Sequence, residues 1–541
     1  MELNSLIYED KTWWVATLPA VFEIQNMCNT WLIVYVFSMI AFLAAFALLL
    51  WVFSNAGPAW KNCQTQMGCV QIPGTRGLPI FGSLFTLSRG LAHRTLAAMA
   101  ASQAATQLMA FSLGSTPAVV ASDPVTAREI LTSPHFADRP IKQSARLLMF
   151  SRAIGFSPNG AYWRLLRRIA ASHLFAPKRI LAHESGRRLD CAAMLTAVQK
   201  DQAFHGFVAL RKHLQVASLN NIMGIVFGKR YDTAHDSEES RELREIVREG
   251  FDLLGAFNWS DHLPWLSCFF YDPFQVNERC LALVPRVRRI VEQIIAQHRV
   301  NGPMKLSDTS DFVDVLLSLD GQEKLQDDDI IAVLWEMIFR GTDTTALLTE
   351  WVMAELVLNP EVQAKLQQEL QTLTTAVADA DESKVPYLQA VVKETLRMHP
   401  PGPLLSWSRL STSNVHLSNG MVIPANTTAM VNMWAITHDP RVWEDPLLFK
   451  PERFLTPEAA GADLREGDLR LAPFGAGRRG CPGKNLGLVT VSLWVAELVR
   501  HFKWVEDGTR PVDLSEVLKL SCEMKNPLSV VAVPRVGAST F

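Results

Sequence analysis

From Trp31 to Phe53 the chain carries no charged residue and is almost wholly apolar. At ~1.5 Å per residue, such a run coiled as a helix spans about 34 Å, enough to cross a hydrocarbon core of ~30 Å. Trp31 and Trp51, one near each end, suit the two membrane–water interfaces. The run is too long, and too far from the start of the chain, for a cleaved signal peptide. Glu2, Glu9, Asp10, Lys11 and Glu23 precede it, whereas Lys61, Arg76, Arg89 and Arg94 follow with no acidic residue before Asp123. That excess of positive charge places the C-terminal bulk in the cytosol. The expected order is a lumenal segment at 1–30, a single anchor at 31–53, a linker at 54–79 ending in a Pro/Gly hinge from Ile72 to Pro79, and one large domain at 80–541. The short apolar stretch Thr12–Phe22, broken by Pro19, receives no assignment.

The 541 residues include 52 basic and 54 acidic side chains, a formal net charge of −2. Nothing in that balance points to nucleic acid as a partner. The eight cysteines show neither zinc-ligand spacing nor a disulfide framework, which fits a reducing compartment. Two β-like runs lie around Gln107–Leu113 and Pro117–Ala121, and Asp123-Pro124 opens a short helix. Helical patterns then dominate from about Tyr162 to Arg500. A long helix is predicted from the Asp327-Asp328-Asp329 cap to just before Asn359-Pro360. Polar stretches near 301–311, 371–384 and 456–469 read as surface loops, and Leu518–Pro534 reads as a hairpin turning at Lys525-Asn526-Pro527.

The densest chemistry lies in Phe474-Gly475-Ala476-Gly477-Arg478-Arg479-Gly480-Cys481-Pro482-Gly483. A helix-like pattern follows from about Lys484 to Arg500. A cysteine at the mouth of a helix is favoured as thiolate by the positive end of the helix dipole. Glycines there let a bulky planar partner approach the backbone. Arg479, two residues before the cysteine, has the reach to neutralise a carboxylate of that partner. A thiolate, close approach and an anion clamp are what a haem needs when cysteine holds its iron.

Phe474, Gly477, Arg479, Cys481 and Gly483 fill every defined position of F-x-x-G-x-R-x-C-x-G, the haem signature of the cytochrome P-450 superfamily. The resemblance runs from about Ile72 to the C-terminus, and Phe339–Thr345 with Asn258–Asp261 resemble plant family 78, subfamily A. It implies a mainly α fold with small β sheets and haem b carried on an axial Cys481 thiolate. Trp163 and Arg167 match W-x-x-x-R on one helix face. With Arg479, and with Arg409 as a further partner, they are expected to hold the haem propionates through an indole N–H and guanidinium groups. Asp343 and Thr344 match the G-x-D-T pattern after Gly341. Cleaving dioxygen needs protons in a largely dry pocket, which an acid–alcohol pair can deliver. Gly341 is expected to permit a distorted helical turn there. The position before it, usually Ala or Gly, is Arg340, which points outward or meets an acidic substrate group. Glu394 and Arg397 match E-x-x-R, and Arg453 lies in a P-E-R-F segment. These three are expected to form a buried charge network behind the cysteine loop, structural rather than catalytic.

The resemblance implies a monooxygenase of the endoplasmic reticulum membrane that hydroxylates a lipophilic, fatty-acid-like molecule. It would use O₂ and electrons from NADPH–cytochrome reductase, in control of plant organ or seed growth. The exposed face expected of Arg164 and Arg168, extended by Arg478 and Lys484, offers the reductase a basic patch. Two alternatives stand beside this reading. One is a haem-thiolate isomerase or dehydratase that needs no reductase, although such relatives often lose the acid–alcohol pair kept here. The other is a haem-binding sensor without catalysis. The expected pocket segments, Asp138–Ser157, Glu336–Thr344, Gly402–Trp407 and Ser521–Leu528, are mainly apolar.

Overall fold

The computed structural model describes residues 27–535 apart from 61–66, 69, 89, 232–237, 257, 265–274, 302–306, 373–384, 406–407 and 457–467. Residues 1–26, with the stretch Thr12–Phe22, lie outside the described residues, as do most of the three expected polar loops and Trp407 of the expected pocket.

The apolar run forms helix α1 (Met27–Phe53). Its Leu32–Phe53 portion has a mean hydropathy of 2.7 and none of it is buried against the rest of the chain. A helix that is apolar all round and exposed along its length, with only Trp51 near its end half-buried, fits a lipid environment rather than a protein core. The segment expected as linker does not dangle. Ala56, Trp60 and Ile72 are buried in a core cluster with Ala110 and Val119. The Trp60 indole donates to the Phe111 carbonyl, and Ser112 Oγ donates to the Ala56 carbonyl. Anchor and domain are thus stitched together through the first sheet.

That sheet pairs β1 (Met109–Leu113) with β2 (Thr116–Ala121) antiparallel, close to the predicted runs. Strand β3 (Val208–Ala209) belongs to another sheet. The first sheet is completed by β4 (Arg409–Leu410) and β7 (Thr428–Val431), in the order β1-β2-β7-β4, with β2 and β7 parallel. Between them β5 (Val415–His416) and β6 (Val422–Ile423) form a small hairpin. Asp123 caps helix α2 (Pro124–Thr132), its carboxylate accepting from the amides of Val125 and Thr126.

Helices make up the remainder: α3 (Ala161–His173), α4 (Leu210–Phe227), α5 (Asp327–Leu358), α6 (Pro386–Met398) and α7 (Lys484–His501) are those that build the site. Helix α5 is buried on nearly every side. Its N-cap is Gln326, in a capping box with Asp329, and the acidic residues 327–329 occupy the first turn, where they favour the helix dipole. It stops at Asn359, because Pro360 disfavours helical backbone before it and opens the next helix. The expected distortion at Gly341 is absent: the helix runs unbroken through it. The glycine serves packing instead, since a Cβ there would lie 2.5 Å from Ile222 Cδ1 on α4.

The C-terminal hairpin differs from its prediction. β9 (Glu516–Leu518) pairs with β10 (Cys522–Met524) about a turn at 519–521, and Lys525-Asn526-Pro527 is not the turn. Beyond it β11 (Ser529–Pro534) pairs with β8 (Phe502–Glu506) and β3. A distant strand captures the second apolar run, and local patterning carries no sign of that partner.

The expected charge network lies between α6 and the 437–455 segment. Glu394 accepts from Arg397 Nε at 2.8 Å and Nη2 at 2.9 Å, from the Lys450 amide at 2.9 Å and from Arg453 Nε at 3.1 Å. Arg397 spends its other donors on the carbonyls of Thr437, Pro446 and Leu448. Both Glu394 and Arg397 have side-chain exposure of 0%. Phe454, beside Arg453, packs in one cluster with Trp443 and Leu471, three residues before Phe474. Removing one partner of a buried pair typically costs about 3–5 kcal/mol. Arg397→Met is therefore expected to lower the unfolding free energy by that order, seen as a lower denaturant midpoint, and Arg397→Lys, which keeps the charge but loses the fork, to fall between. The measurement is loss of helical circular dichroism against urea.

Candidate functional site

Cys481 is exposed, and it opens into the large cavity between α5, α4, α3 and the cysteine loop. The loop earns its shape from glycine: Gly475 and Gly477 have φ of +69° and +66°, and a Cβ on Gly477 would collide with the Leu131 carbonyl. The Cys481 amide donates to the Phe474 carbonyl at 2.9 Å, closing the loop on itself. Gly483 is the N-cap of α7, and Phe474, Gly475 and Gly483 all line the cavity; Gly477 does not. Cys522, by contrast, is buried on β10, where its thiol donates to Glu516.

Five arginines line the cavity: Arg139, Arg167, Arg340, Arg409 and Arg479. Among the described residues that line it, Glu336 is the one carboxylate. Arg479 donates to the carbonyls of Ala137 (2.8 Å), Ile154 (3.1 Å) and Ser157 (2.6 Å), and its guanidinium lies 4.2 Å from the Trp163 ring centre. Arg167 lies 5.9 Å from the same ring. The indole N–H of Trp163 donates to the Ile154 carbonyl at 2.9 Å. In this structure the N–H is thus engaged by a backbone carbonyl, and the ring face meets Arg479 and Arg167. Arg409, on β4, donates to the Ala476 carbonyl at 3.3 Å.

Burial, and then the neighbouring Arg479 and Arg167, push the Arg409 guanidinium down to about 9. Arg479 is lowered to about 10, by burial and Arg167 against the opposing pull of Asp138 and Glu336. Arg139 is lowered further, by burial and then by Arg409, Arg340 and Arg479. Arg139 falls in the expected pocket segment Asp138–Ser157, but the sequence did not mark it as part of a cationic cluster. It sits in Ala137-Asp138-Arg139-Pro140, which looks like an exposed turn, and no spacing marks it as part of a cluster.

Glu336 lies on α5 with 1% exposure and accepts from the amides of Ile154 (2.5 Å) and Gly155 (2.7 Å). One turn on, Arg340 Nη1 lies 3.4 Å from the same carboxylate. Arg340 lines the cavity. Thr344 follows after another turn and also lines the cavity. Asp343 is half-buried and does not line it. Its charge interactions are with Glu523, Arg211, Lys519 and Glu350. Those residues form a connected set: Arg211–Glu350 at 2.7 Å, Arg211–Glu523 at 3.6 Å and Lys519–Glu523 at 2.9 Å, ending on half-exposed Lys519. Burial, then Glu523, pushes the Asp343 carboxyl up to about 7. Each expected pocket segment contributes: Gly155, Met337, Leu405 and Ser521 represent the four. Helix α4 adds Asn221 and Ile222, and Phe251 adds a ring, none of which the sequence marked.

The family profile described as Cytochrome P450 matches residues 72–527. The chain is 65% identical over 537 residues to cytochrome P450 78A7 of Arabidopsis thaliana, covering 98% of this chain and 99% of that protein. It is 59% identical to cytochrome P450 78A11 of Oryza sativa subsp. japonica, with 97% of each covered, and 56% identical to cytochrome P450 78A1 of Zea mays, with 98% of each covered.

The Asp343 shift has a sign that can be measured. The unfolded chain releases this proton near the ordinary 3.8, whereas the folded protein keeps it to about 7. The contribution of Asp343 to stability is therefore present at low pH and lost as pH rises through that window. Asp343→Asn has no such loss. Its apparent Tm is expected to gain on the parent's between about pH 4 and pH 7 and to hold a constant lead above, as read by thermal scans across buffers.

Proposed function

The chain belongs to the cytochrome P450 family, and from that premise we propose that it is a membrane-anchored haem-thiolate monooxygenase in which Cys481 holds the iron. The family binds haem through a cysteine thiolate and uses O₂, a small-molecule substrate and a redox partner. The observation that carries the assignment to Cys481 is its exposure into a cavity ringed by Arg139, Arg167, Arg409 and Arg479. Burial first, and then repulsion between neighbouring guanidinium groups, lowers the pKa values of Arg139 and Arg409, so an anion is favoured among them. A flat group bearing two carboxylates and a soft iron fits that donor set. When bound, the haem supplies binding and reductive cleavage of dioxygen.

The chain's own residues supply the rest. Thr344, facing the cavity, passes protons, and Asp343 behind it replenishes them from the Arg211–Glu523–Lys519 side. A carboxyl poised near 7 both accepts and donates at neutral pH. One C–H bond of the substrate becomes C–O–H, and the second oxygen atom leaves as water with two protons and two electrons from the redox partner. The electrons come, in this reading, from NADPH–cytochrome reductase. Support comes from the basic face of α3, where Arg164 and Arg168 are exposed one turn apart, with exposed Arg478 on the cysteine loop. Arg168 shares its charge with Glu323 at 2.9 Å. The apolar walls favour a lipophilic, fatty-acid-like substrate, and the likeness to 78A proteins supports a product acting in plant organ or seed growth. The exposed α1 and the charge bias around it support the endoplasmic reticulum membrane with the domain in the cytosol.

Cys481→Ser is expected to lose the thiolate-specific absorption of the reduced carbon-monoxide complex, and retention of that band would remove Cys481 as the ligand. Thr344→Ala is expected to keep the band but to turn NADPH consumption toward hydrogen peroxide, cutting product per NADPH by about tenfold or more. Product and peroxide measured together against NADPH oxidation report this directly.

A further inference from the structure

His93, Glu516 and Cys522 come together outside the cavity, and none of the three is among its lining residues. Their ligating atoms all lie within 4.8 Å of one another. His93 sits in the first turn of the helix Ala92–Ser102, Glu516 on β9 and Cys522 on β10. His93 Nε2 is 3.5 Å from Glu516 Oε1, and the Cys522 thiol donates to Glu516 Oε2 at 2.8 Å. Imidazole, thiolate and carboxylate are the ligand types that zinc takes, and three of them leave a fourth position for water. A tetrahedral ion with bonds of ~2.0–2.3 Å spaces its ligands ~3.3–3.8 Å apart, so small rotations of these side chains close on it.

A second observation points to the same place. His93 is fully buried, at 0% exposure, and neither of its ring nitrogens has a hydrogen-bond partner. Its ring stands edge-on to Trp434 with centres 5.5 Å apart, a contact that fixes the ring without satisfying the nitrogens. A buried polar group left in that state is costly unless something joins it. Arg94, half-exposed, also pairs with Glu516 Oε1. A carboxylate has two oxygens, so an arginine on one orients the group and leaves the other for an ion. Charge balances as well. One thiolate and one carboxylate neutralise a divalent cation, and the proton of the thiol passes to solvent as the ion binds.

Among the described residues, β9 and β10 pair only with each other, so no neighbouring strand holds the hairpin. The helix Ala92–Ser102 is fixed to the first sheet, where Leu96 and Ala100 pack with Met109 and Phe111. The β9–β10 turn brings Leu520 and Ser521 to the cavity. We propose that His93, Glu516 and Cys522 form a zinc site that clasps the β9–β10 hairpin to the helix Ala92–Ser102. The ion is structural: it holds one wall of the cavity in place and takes no part in the chemistry inside. Its ligands lie near opposite ends of the chain, without the close pairs by which zinc sites are read from sequence.

The experiment uses the full-length, haem-loaded protein in detergent micelles, kept reduced and passed over a chelating resin. Zinc chloride is titrated by calorimetry, and X-ray absorption at the zinc edge reads the ligands apart from the haem iron. The parent is expected to bind one zinc per chain, with sulfur at ~2.3 Å and nitrogen or oxygen at ~2.0–2.2 Å. Zinc is expected to raise the apparent Tm and to slow hydrogen exchange in β9–β10 peptides. Cys522→Ala and Glu516→Gln are each expected to weaken binding by about a hundredfold or more and to abolish both effects. Asp311→Asn alters the other group of candidate ligands among the described residues, His298, Asp311 and Asp314, and is expected to bind zinc as the parent does. Circular dichroism and the reduced carbon-monoxide spectrum show which variants fold, and Glu516→Gln, which keeps the side-chain shape, decides the matter where Cys522→Ala does not. A parent that takes up no zinc, a zinc shell without sulfur, or a folded variant that binds as tightly as the parent overturns the site. Zinc bound with no change in hairpin exchange overturns the clasp.

Discussion

The buried carboxylate of Glu336 accepts the backbone N–H groups of Ile154 and Gly155, and the walls of the cavity meet through that contact. The same Ile154 residue offers its carbonyl to the Trp163 indole and to Arg479. One short piece of backbone therefore reads the long helix on one side and the arginine cluster on the other. The geometry is self-consistent in energetic terms. A buried carboxylate without donors is costly, and so are buried amides without acceptors. Here each satisfies the other, and the arrangement holds only while α5 and the 152–157 segment keep their registration. A second tie lies two turns earlier on α5, where Asp329 accepts from Arg152 at 2.6 Å and from Tyr162 at 2.9 Å. Two ties on one helix fix the segment's direction as well as its position.

Gathering arginines in one cavity opposes folding unless an anion joins them. The depressed pKa values of Arg139, Arg409 and Arg479 express that opposition. The hydrogen bonds of Arg409 and Arg479 to main-chain carbonyls offset part of it, because a carbonyl supplies a partial negative charge without adding a titratable group. The remainder makes ligand binding and folding a linked equilibrium: a group that neutralises the cluster binds the native state alone and stabilises it by mass action. Specificity for an anionic cofactor is thus written into the stability of the domain, and the Cys481 bond need not supply all of the affinity.

What the sequence made legible follows from how local each signal is. The bounds of α5 could be read because its acidic first turn and its Asn-Pro end lie within the segment itself. The cysteine loop could be read because its glycines, arginine and cysteine are contiguous. The turn of the last hairpin could not, since β11 is held by β8 and β3 rather than by its neighbour in sequence. Residues 54–79 look like a Pro/Gly hinge, yet Trp60 and Ile72 are anchored by contacts to a sheet that forms later in the chain. Arg139 and the Trp163–Ile154 bond escaped for a related reason: a side chain's partner is a tertiary fact, and a lone arginine in a turn has the same spelling whether it is solvated or buried.

Helix α5 separates two environments, and the two adjacent residues Asp343 and Thr344 face different sides of it. Successive helical positions differ by about 100°, so neighbours cannot share a face. The hydroxyl looks into a cavity with apolar walls, whereas the carboxyl is surrounded by Arg211, Glu350, Glu523 and Lys519. That split resolves a conflict inherent in the proposed chemistry. An open water channel would bring protons but also flood the chamber and weaken every directed interaction inside it. In the proposed chemistry, a carboxyl set in the wall, with acids and bases balanced behind it, would carry single protons across without carrying solvent. Its environment keeps it near the midpoint: burial first, then Glu523 and Glu350, holds its proton on, while Arg211 and Lys519 pull it off. Lys519, in the β9–β10 turn, and Glu523, on β10, belong to the same hairpin that brings Ser521 to the cavity, so part of the charge around Asp343 and part of the cavity wall stand on one element of the fold.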